Sequence, residues 1–244
     1  MRRRQVLAWP LGTALTLAGC ASQRYRAAAT VVPFSAAAAM GAPPAGWEPY
    51  VLRRDLARTD YRTVDRDGMR VLHASARGGS SGLRQVLRAD ALVTPRLRWS
   101  WRVDALPADF QACSEVDDAA ARVVLGFDGD HTTLPAKDRA LFELVELVSG
   151  YRLPYATLMY VWDASLPVGT VVRYRRTDRV RYLVVESGRH ACGKWVHYDR
   201  NVLSDFRMAF GEDAGAINSI GVLTDSDDTH AEVDAWYGDI GLGT

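Results

Sequence analysis

Hydrophobic and polar residues alternate with a period of two in several short stretches of the chain. The clearest stretch is 95–104, where leucine, valine, Trp99 and Trp101 alternate with arginine and serine. That period is typical of a β-strand with one buried face. Residues 121–127 repeat it, with Arg122 directed away from the apolar positions. The pattern therefore predicts half-buried strands.

Other strands are predicted on the same basis, including a first strand at 30–34. Residues 61–64 and 69–76 flank the sequence Asp-Arg-Asp-Gly, which favours a tight turn and predicts a β-hairpin. Apolar spacing becomes helical at 137–149, with Leu141, Leu144, Val145 and Val148 on one stripe, and a second short helix is predicted near 202–210.

These elements predict an all-β fold, an antiparallel β-sandwich or jelly roll with two short helical insertions. The chain of 244 residues shows no internal repeat and no second composition regime, which favours one domain over residues 30–244. A literal Gly-x-Ser-x-Gly occurs at 78–82. It is interpreted as a turn, because a nucleophile elbow belongs to a parallel sheet of alternating strands and helices.

The amino terminus carries the features of a signal peptide. Arg2, Arg3 and Arg4 precede a short apolar run, and the segment ends Leu-Ala-Gly-Cys at Cys20. This ending resembles the lipobox of bacterial lipoproteins, which implies cleavage after residue 19 and lipidation of Cys20, with 20–29 as a tether. By analogy with lipoprotein sorting, Ala21 favours the outer membrane, facing the periplasm. An ordinary secretory signal with an incidental cysteine is the alternative.

Charge limits the partners. The formal charge is +1, and removal of residues 1–19 with their three arginines makes it −2. Such a surface gives no electrostatic footprint for nucleic acid. The expected partners are instead a membrane, reached through lipidated Cys20, and a glycan or envelope polymer.

Two further cysteines, Cys113 and Cys192, remain in the mature chain. Both lie in polar, turn-like sequence, and an oxidising compartment permits a disulfide between them. Two unpaired thiols are the alternative.

The stretch 224–240 holds the densest group of acidic residues. Asp225, Asp227 and Thr229 occupy positions one, three and five of a loop, a spacing by which oxygen side chains can surround calcium. An EF-hand is excluded, because His230 and Trp236 stand where it needs glycine and glutamate. A solvated or arginine-paired acidic turn is the alternative to a calcium site.

A second group of charged residues, Asp117, Asp118 and Arg122, precedes and enters the strand at 121–127. It is a candidate for ligand binding, with a structural ion pair as the alternative. Trp162 and Trp236 are candidate stacking residues for a sugar, because each lies near a polar loop, and a core position is the alternative.

Several motifs together resemble a bacterial family known as domain of unknown function 3047. They are Pro95-x-Leu97-x-Trp99-x-Trp101, Asp117-Asp118 with Arg122-Val123, Tyr160-Val161-Trp162, Glu186-Ser187-Gly188, Asp205-Phe206 with Phe210-Gly211, Thr224-Asp225-Ser226-Asp227 with Thr229, and Trp236 to Ile240. Ser226 and Asp228 depart from the family's acidic loop. The resemblance spans most of the mature chain and implies no activity.

The early Phe34, the Pro-Pro-Ala-Gly-Trp run ending at Trp47 and the closing strand also resemble galactose-binding-type jelly rolls at the level of fold. The leading hypothesis is a lipid-anchored β-sandwich that binds a carbohydrate or envelope polymer. Alternatives are a glycan-acting hydrolase or lyase using Asp118, Asp225 or Asp227, and a structural lipoprotein with a protein partner.

Overall fold

The computed structural model describes residues 30–107, 110, 112 and 117–244. The lipidation of Cys20, the signal peptide and the Cys113 partner of the predicted disulfide lie outside the described residues. Cys192 lies in a turn and is half-buried.

The described chain forms short strands, joined by turns and two α-helices. The strands are β1 (Glu48–Tyr50), β2 (Asp60–Arg66), β3 (Met69–Arg77), β4 (Ser80–Ala89), β5 (Arg96–Val103), β6 (Ala119–Phe127), β7 (Ala156–Asp163), β8 (Val171–Arg173), β9 (Val180–Ser187), β10 (Val196–Asn201), β11 (Ile217–Asp225), β12 (Glu232–Tyr237) and β13 (Gly241–Gly243). The helices are α1 (Ala136–Ser149) and α2 (Val202–Phe210).

The strands form two sheets, which confirms the predicted all-β sandwich. The seven-stranded sheet has the order β1-β4-β11-β6-β7-β9-β8. The six-stranded sheet has the order β10-β5-β12-β3-β2, with β13 also paired to β5. All pairs are antiparallel except β7 with β9, which run parallel. Residues 164–179 between them include β8, which pairs with β9 on its other side.

The core lies between the sheets and follows the period-two pattern. On β5, Leu97, Trp99, Trp101 and Val103 are all buried. They pack against side chains from the facing sheet, such as Tyr160, whose ring centroid lies 5.0 Å from that of Trp99. The alternation that predicted β5 therefore also identified its core-facing side.

The predicted hairpin is confirmed by β2 and β3. Its turn places Asp67 at φ 52° and Gly68 at φ 78°. Both values lie in the left-handed region, which aspartate tolerates and glycine adopts without strain.

Two strand predictions were wrong. Residues 30–33 form no strand, and Phe34–Ala36 form a 3₁₀ turn. The ring of Phe34 packs against Trp47 at 4.6 Å, so its apolar character serves core packing outside the sheets. β4 was missed, because its glycines and serines suggested a turn, yet Leu83, Gln85 and Leu87 all face the core.

Helix α1 was predicted correctly, and Gly150 terminates it at φ 77°. None of the four residues of the predicted apolar stripe is buried: Leu141 and Val145 are half-buried, Leu144 is 55% exposed and Val148 is 62% exposed. The buried apolar residue of the helix is Phe142, outside that stripe. The helix therefore presents apolar side chains to solvent.

Gly238 allows the closing segment to approach β5 closely. A Cβ atom there would lie 2.2 Å from Ser100 Oγ. Gly238→Ala should lower the free energy of unfolding by about 1–3 kcal/mol, because the Ser100 side chain is too short to carry its hydroxyl away from the added methyl group. Adding Ser100→Ala should recover most of the loss, since the next nearest atom is 3.6 Å away. Thermal melts measure the stability of Gly238→Ala and of the double variant. A Gly238→Ala protein that melts at the wild-type temperature would contradict the predicted clash.

Candidate functional site

The two predicted acidic groups meet at one end of the seven-stranded sheet. The start of β6 lies beside the end of β11, where Asp225 pairs with Ala119. Carboxylate oxygens of Asp118, Asp225 and Asp227 lie within 4.8 Å of one another. We call Asp117, Asp118, Arg122, Asp225 and Asp227 the acidic cluster.

Arg122 links the two sides of the acidic cluster. Its Nη1 donates to Asp225 Oδ2 at 2.7 Å, and its Nη2 donates to Asp117 Oδ1 at 3.1 Å. The Arg122 side chain is 2% exposed. Burial alone would lower the pKa of the guanidinium, but the Asp225 and Asp117 carboxylates outweigh burial and raise it. Arg122 therefore stays charged as a buried ion-pair partner.

Asp118 holds the β11–β12 loop. Its Oδ2 accepts hydrogen bonds from the Thr229 backbone N–H at 2.8 Å and from the Thr229 hydroxyl at 2.6 Å. Its Oδ1 accepts the Asp228 N–H at 3.2 Å. Thr229, predicted as a calcium ligand, thus donates to Asp118, and Asp118 joins Asp225 and Asp227 in the carboxylate group.

The environment opposes ionisation of two of these carboxyls. Burial raises the pKa of Asp225 to about 7, against the opposing effect of Arg122. Burial and the neighbouring Asp228 and Asp118 raise the pKa of Asp227. A cation would favour the ionised forms of both groups.

The glycine-serine stretch before β4 supports the acidic loop. Gly78 N–H donates to Ser226 Oγ at 3.0 Å, and Ser226 N–H donates to Gly79 O at 3.0 Å. The Ser80 side chain forms a hydrogen bond with Asp227. This bond lowers the pKa of Asp227, whereas burial raises it. The sequence interpretation of 78–82 as a turn was wrong for residues 80–82, which begin β4. It also missed this supporting contact, for which spacing in the chain gives no signal.

The two tryptophans predicted to stack on sugars offer no open ring face. Trp162 is fully buried, and its Nε1 donates to Gly188 O at 2.9 Å. Trp236 is 8% exposed. The Arg66 guanidinium lies 3.6 Å from its ring centroid, and the His73 ring stacks on it at 5.0 Å. Trp162 belongs to the core, and Trp236 belongs to a covered arginine–aromatic layer.

A groove on the six-stranded sheet was not predicted. Its volume is about 630 Å³. It is lined by Ser35, Met69, Arg70, Val71, Arg98, Trp99, Ser100, His197, Tyr198, Gly238, Asp239 and Gly241. We call it the sheet groove.

Strand register explains why polar side chains meet in the sheet groove. Ser100 on β5 pairs with His197 on β10. Directly opposed residues of an antiparallel pair project to the same face. Because Trp99 and Trp101 face the core, Ser100 and Arg98 lie on the outer face. The polar residues that alternate with Trp99 and Trp101 on β5 could therefore have indicated this site. The sequence-based prediction used only the apolar residues.

The charged side chains of the sheet groove form hydrogen bonds with neighbouring residues and remain accessible to a ligand. Arg98 Nε donates to Asp199 Oδ2 at 3.0 Å, and its side chain remains 56% exposed. Asp199 also accepts a hydrogen bond from Arg96 at 2.8 Å, so one carboxylate serves two arginines. Asp239 accepts hydrogen bonds from Ser35 N–H and Ser35 Oγ. The groove thus offers donors and an acceptor on a rigid sheet.

Within the part of the chain that the structure describes, no helix is both long and apolar enough to cross a membrane.

Solved structures of similar architecture have little sequence identity to this chain. A family 11 carbohydrate-binding module from Clostridium thermocellum, in complex with a β-1,3-1,4-mixed-linked tetrasaccharide, is 10% identical with a TM-score of 0.40, covering 82% of this chain and 89% of its own. The K1 cleaved adhesin domain of Lys-gingipain from Porphyromonas gingivalis W83 is 10% identical with a TM-score of 0.37, covering 88% and 98%. A family 30 carbohydrate-binding module of the Clostridium thermocellum cellulase Cel9D-Cel44B is 12% identical with a TM-score of 0.33, covering 87% and 93%.

Among curated proteins, no sequence matches the chain. The family model described as "Protein of unknown function (DUF3047)" matches residues 45–241. That range includes every strand from β1 to β12 and both sides of the acidic cluster. The chain therefore belongs to the DUF3047 family.

Proposed function

We propose that this protein is a binding module of the bacterial envelope that holds a carbohydrate or another hydroxyl-rich envelope polymer in the sheet groove. The groove itself supports this function most directly. It combines an open sheet face with side chains that can bond to hydroxyl groups, and its volume is about 630 Å³.

The chemistry of the groove suits a polyhydroxylated ligand. Arg98 and His197 can donate hydrogen bonds, Asp239 can accept them, and Ser100 can do both. Met69, which is 42% exposed, adds apolar surface. Five strands in the path β10-β5-β12-β3-β2 give a face about 19 Å wide at roughly 4.8 Å per step. An extended chain of several sugars can lie across such a face.

Carboxylate placement favours binding over hydrolysis. Glycoside hydrolysis generally needs two carboxyl groups on either side of the scissile bond. Asp239 is the single carboxylate among the described residues that line the groove. The convergent carboxyls of the acidic cluster are poorly placed for a substrate, because Asp118 is 1% exposed and Asp225 is 5% exposed.

Binding to purified peptidoglycan, lipopolysaccharide polysaccharide and a neutral glucan tests the proposed function. Arg98→Ala and His197→Ala should each weaken binding by roughly tenfold or more, because each removes a hydrogen-bonding group from the ligand. Sedimentation with the insoluble polymer or calorimetry with the soluble ones measures the affinity.

Arg88→Ala is the matched control. Arg88 lies on the seven-stranded sheet, pairs with Asp128 and has a side chain that is 71% exposed. It should bind like the wild type. Binding that both groove variants leave unchanged would exclude the sheet groove, and no binding to any polymer would exclude the proposed ligand class.

We further propose that Cys20 is lipidated and holds the domain at the outer membrane, facing the periplasm. The lipobox resemblance and residues 20–29 as a tether support this location. Mass spectrometry of the mature amino terminus tests it: a diacylglyceryl-modified Cys20 is expected, and an unmodified residue at the cleavage site would contradict it.

A calcium ion in the acidic cluster is proposed as a structural part of this module. Oxygens that share one calcium at about 2.4 Å lie at most about 4.8 Å apart, and the three carboxylates meet that limit. Asp118 Oδ1 and both Asp225 carboxylate oxygens each accept one hydrogen bond and retain a lone pair, whereas Asp118 Oδ2 already accepts two. The ion would relieve repulsion among Asp118, Asp225 and Asp227.

A further inference from the structure

Helix α1 carries an apolar stripe on its solvent side. Leu144, Leu147 and Val148 are 55%, 83% and 62% exposed. At 3.6 residues per turn these positions fall within an arc of about 100°. The opposite inward side already buries Phe142 and Ser149. The core therefore does not account for the exposed stripe.

A cationic cavity adjoins the end of this helix. Arg54 Nη2 donates to Ser149 O at 2.9 Å, which places Arg54 beside the helix carboxyl terminus. The cavity has a volume of about 400 Å³. Its lining consists of Glu48, Pro49, Val51, Arg54, Arg58 and Tyr151.

The acidic group in this cavity is already neutralised. Glu48 Oε1 accepts a hydrogen bond from Arg84 at 3.0 Å. Arg58 is exposed, and no carboxylate among the described residues lies within ion-pairing distance of it. On the helix, Glu146 lies roughly opposite Val148, and Glu143 lies about 40° beyond Leu147, at the edge of the stripe farther from Val148. Arg54 contacts Ser149, which follows Val148, so positive charge adjoins the carboxyl-terminal end of the stripe.

We propose that this surface, consisting of Leu144, Leu147, Val148, Arg54 and Arg58, contacts an anionic phospholipid bilayer. The apolar stripe enters the boundary between headgroups and acyl chains, and the cationic cavity receives a lipid phosphate. This is the arrangement by which helices lie in a membrane interface. Three side chains give weak attachment, so the contact orients a protein that is already held at the membrane.

Quenching by bromine-labelled lipid acyl chains tests the contact in the full-length protein reconstituted into vesicles. Leu147→Trp places an indole on the stripe. Val168→Trp is the matched control, because Val168 is 59% exposed and lies before β8, at the opposite edge of the seven-stranded sheet. Fluorescence of the unmodified protein is subtracted from each variant.

In mixed phosphatidylglycerol and phosphatidylcholine vesicles, about half of the fluorescence added by Leu147→Trp should be lost, and that of Val168→Trp should be retained. Adding Arg58→Glu, or using phosphatidylcholine alone, should reduce the loss at position 147 because the charge attraction is removed. Circular dichroism and a thermal melt verify that each variant is folded.

Equal quenching at positions 147 and 168 would overturn the proposal, since the anchor alone would then explain lipid proximity. Quenching at 147 that is independent of lipid charge and of Arg58 would overturn the role of the cationic cavity. Neither outcome depends on glycan binding, because the sheet groove lies on the other sheet.

Discussion

Replacing Arg122 with alanine is expected to lower the free energy of unfolding by about 3–5 kcal/mol. The substitution removes a guanidinium that is 2% exposed and leaves Asp225 and Asp117 without their cation. A buried charge without its partner is strongly unfavourable, and the loss exceeds what the same pair would contribute at a surface. Thermal unfolding should show a fall in the melting midpoint of about 6–20 °C.

Two further variants isolate the cause. Arg88→Ala breaks an exposed pair with Asp128 and should change stability by less than about 1 kcal/mol. Asp225→Ala combined with Arg122→Ala should lose less than the sum of the two single variants, because neither buried group is then left alone. Additive losses would show that Arg122 acts through packing and not through the ion pair.

Stability is also expected to fall as the pH rises from about 5 to 8 when a chelator is present. Burial raises the pKa of Asp225 to about 7 in the folded protein, from an ordinary value of 3.8. The folded state therefore binds the Asp225 proton more tightly than the unfolded state does. This contribution is fully present below the unfolded pKa and is lost as the pH rises through about 7.

The size of this effect follows from the shift. One pKa unit corresponds to about 1.4 kcal/mol, so the loss between pH 5 and the Asp225 pKa of about 7 amounts to at most about 3 kcal/mol. Asp225→Asn keeps the shape of the side chain and removes its titration, so its unfolding midpoint should vary less between pH 5 and 8. A variant with the same pH dependence as the wild type would show that another group dominates.

Calcium should reverse part of the loss at pH 8. An ion bound only to the folded state at a concentration of 100 Kd adds about 2.7 kcal/mol, a rise of several degrees in the melting midpoint. Asp227→Asn removes the half-exposed carboxylate and should abolish the rise without disturbing Arg122. An unchanged midpoint in the wild type would argue against the calcium site.

Sequence periodicity predicted those elements whose two faces differ. β5 was found because its buried and more exposed positions alternate strictly. β6 was found from apolar residues at every second position, although nearly all of its residues are buried in the structure. β4 was missed because Gly82 and two serines obscure the same alternation. The strand predicted at 30–34 was wrong because apolar residues there fill the side of the core without joining a sheet.

The candidate sites differ in how much the sequence could reveal. Asp118 and Asp225 were identified as carboxylates of interest, but they are more than 100 residues apart and only strand pairing brings them together. The sheet groove depends on the register between β5 and β10, which no local pattern specifies. Trp162 and Trp236 were identified from the sequence as candidate stacking residues, but residue type gave no indication of how fully each ring is buried.

The acidic cluster has a consequence for the order of folding. Arg122 and Asp225 are separated by 103 residues, and Asp118 and Thr229 by 111. Contacts between such distant parts of a chain form slowly, because a long loop must close before they are made. A chain delivered from its amino terminus cannot complete the cluster until β11 and the loop after it are available. Assembly of these carboxylates therefore requires that β11 has paired with β6, and any cation they bind would act only after that pairing.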